Sequence, residues 1–242
     1  MHNIILFSNV PEVILGMRNS AEIMILNFND IHPLTPEHKN IAHFFEKCLK
    51  EGRNPKSAEE RQKFNENFLK ISKKKVLIGR YGEDRATMLT GSSIAQEGRT
   101  IHLGIDLFTI GLEEVFCPLE GEVVAVGFEP EPHGYGYWII IKHELGEEIV
   151  YTFYGHLGRH LRAKKKVHAG ERIGNIGDFS DGENGGWSRH LHFQILDILP
   201  PDGLTPNGYA TPNQFAKRMN EQLDPNRILQ LPLSQARCTN SP

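Results

Sequence analysis

The spacing of apolar positions changes about a third of the way along the chain, and the change divides it. Short apolar runs at residues 3–7 and 23–28 read as strands. Thr35-Pro36 then opens a helix, because a hydroxyl caps well and proline suits the first helical position. Ile41, Phe44, Phe45, Cys48 and Leu49 follow at helical spacing on one face. After a Gly-Arg-Asn-Pro break, Ser57 and Glu60 form a capping-box pair ahead of a second helix carrying Phe64, Phe68 and Leu69. Residues 1–75 are therefore expected to form a small α+β annex. From about residue 76, segments rich in valine, isoleucine and aromatics alternate with glycine and proline, the pattern of an antiparallel β-domain running to about 200. Its clearest strands are expected at 122–128, 137–142, 148–154, 171–176 and 190–195. The extension 201–242 returns to helix at Thr211-Pro212 and Asp224-Pro225.

Composition narrows the function classes. The 242 residues carry a formal net charge of -3, so no electrostatic footprint favours nucleic acid or an anionic membrane. The one basic cluster, Arg159 to Lys166, reads as a solvated loop. No run of 18 apolar residues is present, so no membrane span is expected. The first residues lack a basic start, a complete apolar core and a small-residue cleavage site, which favours a cytoplasmic location. Three cysteines, Cys48, Cys117 and Cys238, are too far apart for a paired metal motif, and Cys117 is expected to be a buried thiol.

The candidate chemistry lies in histidines. In His190-Leu191-His192-Phe193-Gln194-Ile195, strand alternation puts His190, His192 and Gln194 on one face and Leu191, Phe193 and Ile195 on the other. The apolar face belongs in a core and leaves two imidazoles presented together. His102-Leu103-Gly104-Ile105-Asp106 alternates with apolar residues and reads as an extended segment bent at Gly104. Tyr154-Gly155-His156-Leu157 ends a strong strand, a position suited to an acid or base. Two imidazoles with one carboxylate suggest a zinc site with a fourth position open to water, the arrangement of a catalytic rather than a structural centre. Alternation alone leaves His190 and His192 equivalent.

These segments resemble the lysostaphin-like zinc metallopeptidases of the LytM type. The resemblance rests on a His-x-Gly-x-Asp motif at 102–106, a Tyr-Gly-His-Leu motif at 154–157 and a His-Leu-His-Phe motif at 190–193, in that order. Pro118 to Val124 and His168 to Gly174 resemble the family's connecting hairpin and turn, so the likeness covers roughly residues 99–198. It implies an antiparallel β-sandwich or barrel-like peptidase domain with a narrow groove. It also implies one zinc ion held by His102, Asp106 and His192, with His156 and His190 as the catalytic pair. The default substrate it implies is a peptide bond of peptidoglycan cross-bridges or stem peptides. Two departures stand out: Ser188-Arg189 replaces the usual Gly-Pro, and Gln194 stands where glutamate is frequent. The longer loop 178–187, with the Ile-His-Leu-Gly-Ile-Asp-Leu-Phe string, resembles domains fused ahead of class III aminotransferases. That likeness raises a cytoplasmic amidohydrolase acting on a small amide linked to amino-group metabolism; a non-catalytic binding or regulatory domain is the remaining alternative.

Other residues receive plain expectations. His143 reads as a hydrogen-bonded structural histidine, and His160 and His168 as solvent-facing. His133 reads as a surface-loop residue, Trp187 either as a wall of the cleft or as a pin holding its glycine-rich loop to the core, and the annex is expected to pack beside the β-domain rather than over its groove.

Overall fold

A computed structural model of the chain describes residues 23–25, 44, 46–201, 204–218 and 223–231. The strand expected at 3–7, the helix start at Thr35, and Cys238 lie outside the described residues. The first long helix among them, α1 (Ala58–Ser72), starts where a local signal says it should: the Ser57 hydroxyl accepts the Glu60 N–H at 3.3 Å. The reciprocal half of the capping box does not form, because the Glu60 carboxylate pairs with Arg53 and Lys63 instead. At the other end, Lys73 adopts a left-handed conformation and its N–H reaches the carbonyls of Leu69 and Lys70. Leu69 is fully buried against Leu77 and Phe108, which ties the helix to the sheet.

The strands are β1 (Ile23–Ile25), β2 (Val76–Gly79), β3 (Ile101–His102), β4 (Ile105–Phe108), β5 (Glu114–Phe116) and β6 (Gly121–Glu129). They continue as β7 (Gly136–Leu145), β8 (Glu148–Leu157), β9 (Lys166–Val167), β10 (Arg172–Asn175), β11 (His190–Leu196) and β12 (Tyr209–Ala210). Short helices α2 (Ala86–Leu89), α3 (Ser93–Gln96), α4 (Pro212–Arg218) and α5 (Asn226–Leu229) fill the connections and the tail. The main sheet has the order β1-β2-β4-β11-β8-β7-β6-β9. Its pairings are antiparallel except β1 with β2. The mainly antiparallel β-architecture is thus present, but the sheet is open at both edges and does not close into a barrel.

One face of this sheet forms the main core. Ile105 and Leu107 of β4, Ile139 and Ile141 of β7, Tyr154 of β8 and Leu191, Phe193 and Ile195 of β11 are all buried there. They pack with Val115 and Ile173 from the small β5–β10 sheet and with Leu223, Ile228, Leu229 and Leu231 from the chain's end. Residues 223–231 are therefore built into the same core rather than appended to it, and β12 pairs with β3. On the opposite face, Ile140 and Phe153 pack with Trp138 and Leu196. Strands β2, β5, β9 and β12 were not singled out from the sequence; runs of two to four residues are too short to show a period. Among the described residues, no helix is long and apolar enough to cross a membrane.

Candidate metal centre

Register in the middle of the sheet builds the site. On β11, His192 stands opposite Asp106 of β4 on one side and Gly155 of β8 on the other. His102 ends β3, and the chain bends through Leu103-Gly104 before β4 begins. The glycine is required for space rather than for backbone freedom. A Cβ at Gly104 would lie 2.3 Å from Cε1 and 2.6 Å from Nε2 of His192. This bend brings one ligand atom each from His102, Asp106 and His192 within 4.8 Å of one another, all three residues buried.

Neighbours decide which nitrogen of each ring is free. His102 Nδ1 lies 3.0 Å from the Arg80 carbonyl and donates to it, so Nε2 faces the cluster. His192 does the reverse: Nε2 donates to Gln194 Oε1 at 3.1 Å, leaving Nδ1 inward. Gln194 is itself oriented, since its amide nitrogen donates to the Asn207 carbonyl at 3.2 Å. His102 Nε2 is 3.2 Å from His192 Nδ1 and 3.3 Å from Asp106 Oδ1, and His192 Nδ1 is 2.9 Å from Asp106 Oδ1. Three lone pairs therefore converge on one point. Burial, reinforced by Arg85, pulls the His102 imidazole down to about 4, so it is a neutral donor at physiological pH.

His156 and His190 sit beside this cluster with ring centroids 4.3 Å apart. The His156 Nδ1–H donates to the Asn184 carbonyl at 2.8 Å and the His190 Nδ1–H to the Ser188 carbonyl at 2.7 Å. Each therefore keeps Nε2 free. His190 Nε2 is 3.9 Å from Asp106 Oδ1, and its ring stacks on Phe108 at 4.7 Å. Burial lowers both pKa values, that of His156 well below the usual imidazole range. His156 also holds a left-handed backbone (φ 62°), which costs a non-glycine residue roughly 1–2 kcal/mol. Hydrogen bonds from its N–H to the Tyr135 carbonyl and to its own carbonyl from the Gly177 N–H keep it there.

A buried ion cluster that sequence reasoning did not find lies behind the triad. Arg85 Nη1 donates to Asp106 Oδ2 at 2.6 Å, while its Nε and Nη2 reach Glu83 Oε2 at 3.4 and 3.2 Å. Glu83 also accepts from Arg80 Nε at 3.2 Å. Burial alone would raise the Asp106 carboxyl. His102, the Arg85 guanidinium and His190 outweigh that and hold it well below the usual carboxylate range. Arg85 thus occupies one carboxylate oxygen and leaves Oδ1 for the cluster.

The site opens into a groove of about 820 Å³. His133 and Tyr135, Trp187, Asn207 to Tyr209, Arg85 and residues 88–94 line its walls. So does the annex, through Ser57, Ala58, Glu59 and Arg61. These residues at the start of α1 thus form part of the groove's wall. Gln62 fixes α1 in place, accepting the Arg189 N–H at 2.8 Å and donating to the Thr109 carbonyl at 3.1 Å. The Ser188-Arg189 departure is thereby explained in part, because Arg189 Nη2 also reaches Asp178 at 2.8 Å and anchors the long loop. His143 is buried between the Glu120 carbonyl and Thr152 Oγ1, and His160 and His168 are exposed. Nothing in the local spacing of Glu83, Arg85, Tyr209 or Arg61 marks them, since isolated charged residues ordinarily read as surface.

Residues 100–203 match the model of peptidase family M23. A comparison with curated proteins finds no match. Among solved structures, a zinc-containing peptidase from Vibrio cholerae is 27% identical over 40% of this chain, with a TM-score of 0.33. This chain spans only 27% of that protein's length. The catalytic domain of the antimicrobial peptidase lysostaphin from Staphylococcus simulans is 23% identical over 49% of this chain and 80% of its own, with a TM-score of 0.35. A variant catalytic domain of the prophage-encoded M23 protein EnpA from Enterococcus faecalis is 22% identical over 47% of this chain and 77% of its own, with a TM-score of 0.34. None of these matches supports the likeness to aminotransferase-fused domains. The three histidine motifs at 102–106, 154–157 and 190–193 all fall inside this stretch, so the similarity to peptidase family M23 rests on residues 100–203.

Proposed function

We propose that this chain is a zinc metallopeptidase that hydrolyses a peptide bond, with His102, Asp106 and His192 as the zinc ligands. The observation that carries the reading is the spacing of three inward-facing donor atoms. Zinc bonds of about 2.0–2.1 Å in a tetrahedron place ligand atoms roughly 3.3 Å apart. The separations here are 2.9, 3.2 and 3.3 Å. Two neutral imidazoles and one carboxylate leave a net positive site when the ion is present, and both rings have their outer nitrogens tied down. Zinc, when bound, acts as a Lewis acid and lowers the pKa of water at its open position to roughly 7.

His190 is the better general base of the flanking pair. Its Nε2 is free, and a proton taken there would be stabilised by the Asp106 carboxylate 3.9 Å away. His156 has the same free Nε2 with no carboxylate in contact, stays neutral, and accepts a hydrogen bond that orients water or a substrate N–H. The protonated His190 then returns its proton to the departing amine. The default substrate is a peptide of the peptidoglycan type. Metal analysis with a peptide-hydrolysis assay tests the reading: one zinc per chain and loss of turnover in His190→Ala, with zinc retained, are expected. Absence of bound zinc, or undiminished hydrolysis by His190→Ala, would sink it.

A further inference from the structure

We infer that Arg61 anchors a carboxylate on the substrate, so that the groove takes a peptide bearing a negative charge close to the bond being cut. This rests on the peptidase reading for the cut itself, but its recognition step stands separately. Arg61 lies in the first turn of α1 and lines the groove shared with His190, His192 and Asp106. The groove's other cations are already engaged. Arg85 holds Asp106 and Glu83, Arg99 reaches Glu97 and Asn207, and Lys56 donates to the Thr90 carbonyl. Arg61 makes no ion pair among the described residues, and its Nε is shut off from solvent without a hydrogen-bond partner.

An uncompensated guanidinium in such a place is costly. Burial pulls Arg61 down to about 10, Tyr209 opposing and Arg85 adding to the effect. Two neutral groups on other walls share its condition: Tyr135 OH and Trp187 Nε1 are buried without partners. Three of the four such side-chain atoms among the described residues thus line this one groove. Buried polar groups left unpaired call for a ligand or water that pairs them. A peptide suits the set, its carbonyls meeting the indole N–H and phenol and its carboxylate meeting the guanidinium. A single negative charge fits better than a phosphate dianion, because Glu59, Glu129 and Glu131 also line the groove.

Three acetylated pentapeptides test the assignment: pentaglycine amide, pentaglycine free acid, and Gly-Gly-Glu-Gly-Gly amide. Binding to zinc-free protein is measured by calorimetry and hydrolysis by zinc-loaded protein by chromatography. At least one acidic probe is expected to bind about tenfold or more tighter than the neutral amide. Which one wins assigns the charge to the chain end or to a side chain. Arg61→Gln is expected to erase the preference for the acidic probe, and Arg61→Lys to retain part of it. Equal binding of all three probes, no detectable binding of the acidic ones, or a preference that survives Arg61→Gln overturns the assignment. Arg61-dependent binding without hydrolysis would instead overturn the peptidase reading and leave the anchor standing.

Discussion

Replacing Arg85 by methionine is the sharpest test of how the site is held together. Arg85 and Asp106 are both about 2% exposed, and their contact is 2.6 Å. Methionine keeps much of the buried volume, so the effect isolates charge. Glu83 retains Arg80 after the change, whereas Asp106 loses its one arginine partner and keeps only the histidines. Removing one member of a buried ion pair costs roughly 3–5 kcal/mol, because the other charge is left in a poorly solvated place. For a domain of this size that corresponds to a fall in Tm of roughly 10 °C. The assay is urea and thermal denaturation of chelator-treated protein, so that no metal substitutes for the lost cation. A double variant, Arg85→Met with Asp106→Asn, is expected to recover much of the loss, since the stranded charge is gone. Arg85→Met within about 1 kcal/mol of wild type, or strictly additive behaviour in the double variant, would refute the account.

Two further outcomes follow from the same geometry. Burial holds His102, His143, His156 and His190 below the usual imidazole pKa. Above about pH 6.5 they are neutral folded or unfolded, so their contribution is complete; below it the unfolded chain takes up protons that the folded chain refuses. Zinc-free protein should therefore lose stability from about pH 6.5 downward, His102 alone contributing a loss of about 3 kcal/mol by pH 4. A flat stability between pH 7 and 5 in denaturant titrations would contradict this. Gly104→Ala is expected to displace the His192 ring, because the new Cβ would come within 2.3 Å of it. Zinc affinity should fall by about tenfold or more, as when ligand orientation is lost, and unchanged affinity by chelator competition would count against the proposed ligand set.

The sequence by itself determined the parts that depend on local period and local caps. Alternation along 190–196 separated Leu191, Phe193 and Ile195 from His190, His192 and Gln194, and the core follows that division. Ser57 capped its helix as the spacing indicated, while Glu60 left the capping box for Lys63, one turn along the same helix, and for Arg53 in the segment before it. The three motifs named the cluster, yet alternation could not separate His190 from His192. Tertiary structure set the difference between them by placing Asp106 across from His192 and the Ser188 carbonyl against His190.

Tertiary structure alone decided the rest. Arg85 meets Asp106 across 21 residues, Gln62 meets Arg189 across 127, and Arg61 lines the groove from α1, whose Gln62 binds Thr109 after β4 and Arg189 before β11. Such pairings leave no trace in a local pattern, since hydrophobic period records which face is buried and not what the buried polar groups touch. An isolated arginine reads the same whether it ends in solvent or beside a buried carboxylate. What separates the two is the desolvation that only the assembled core imposes.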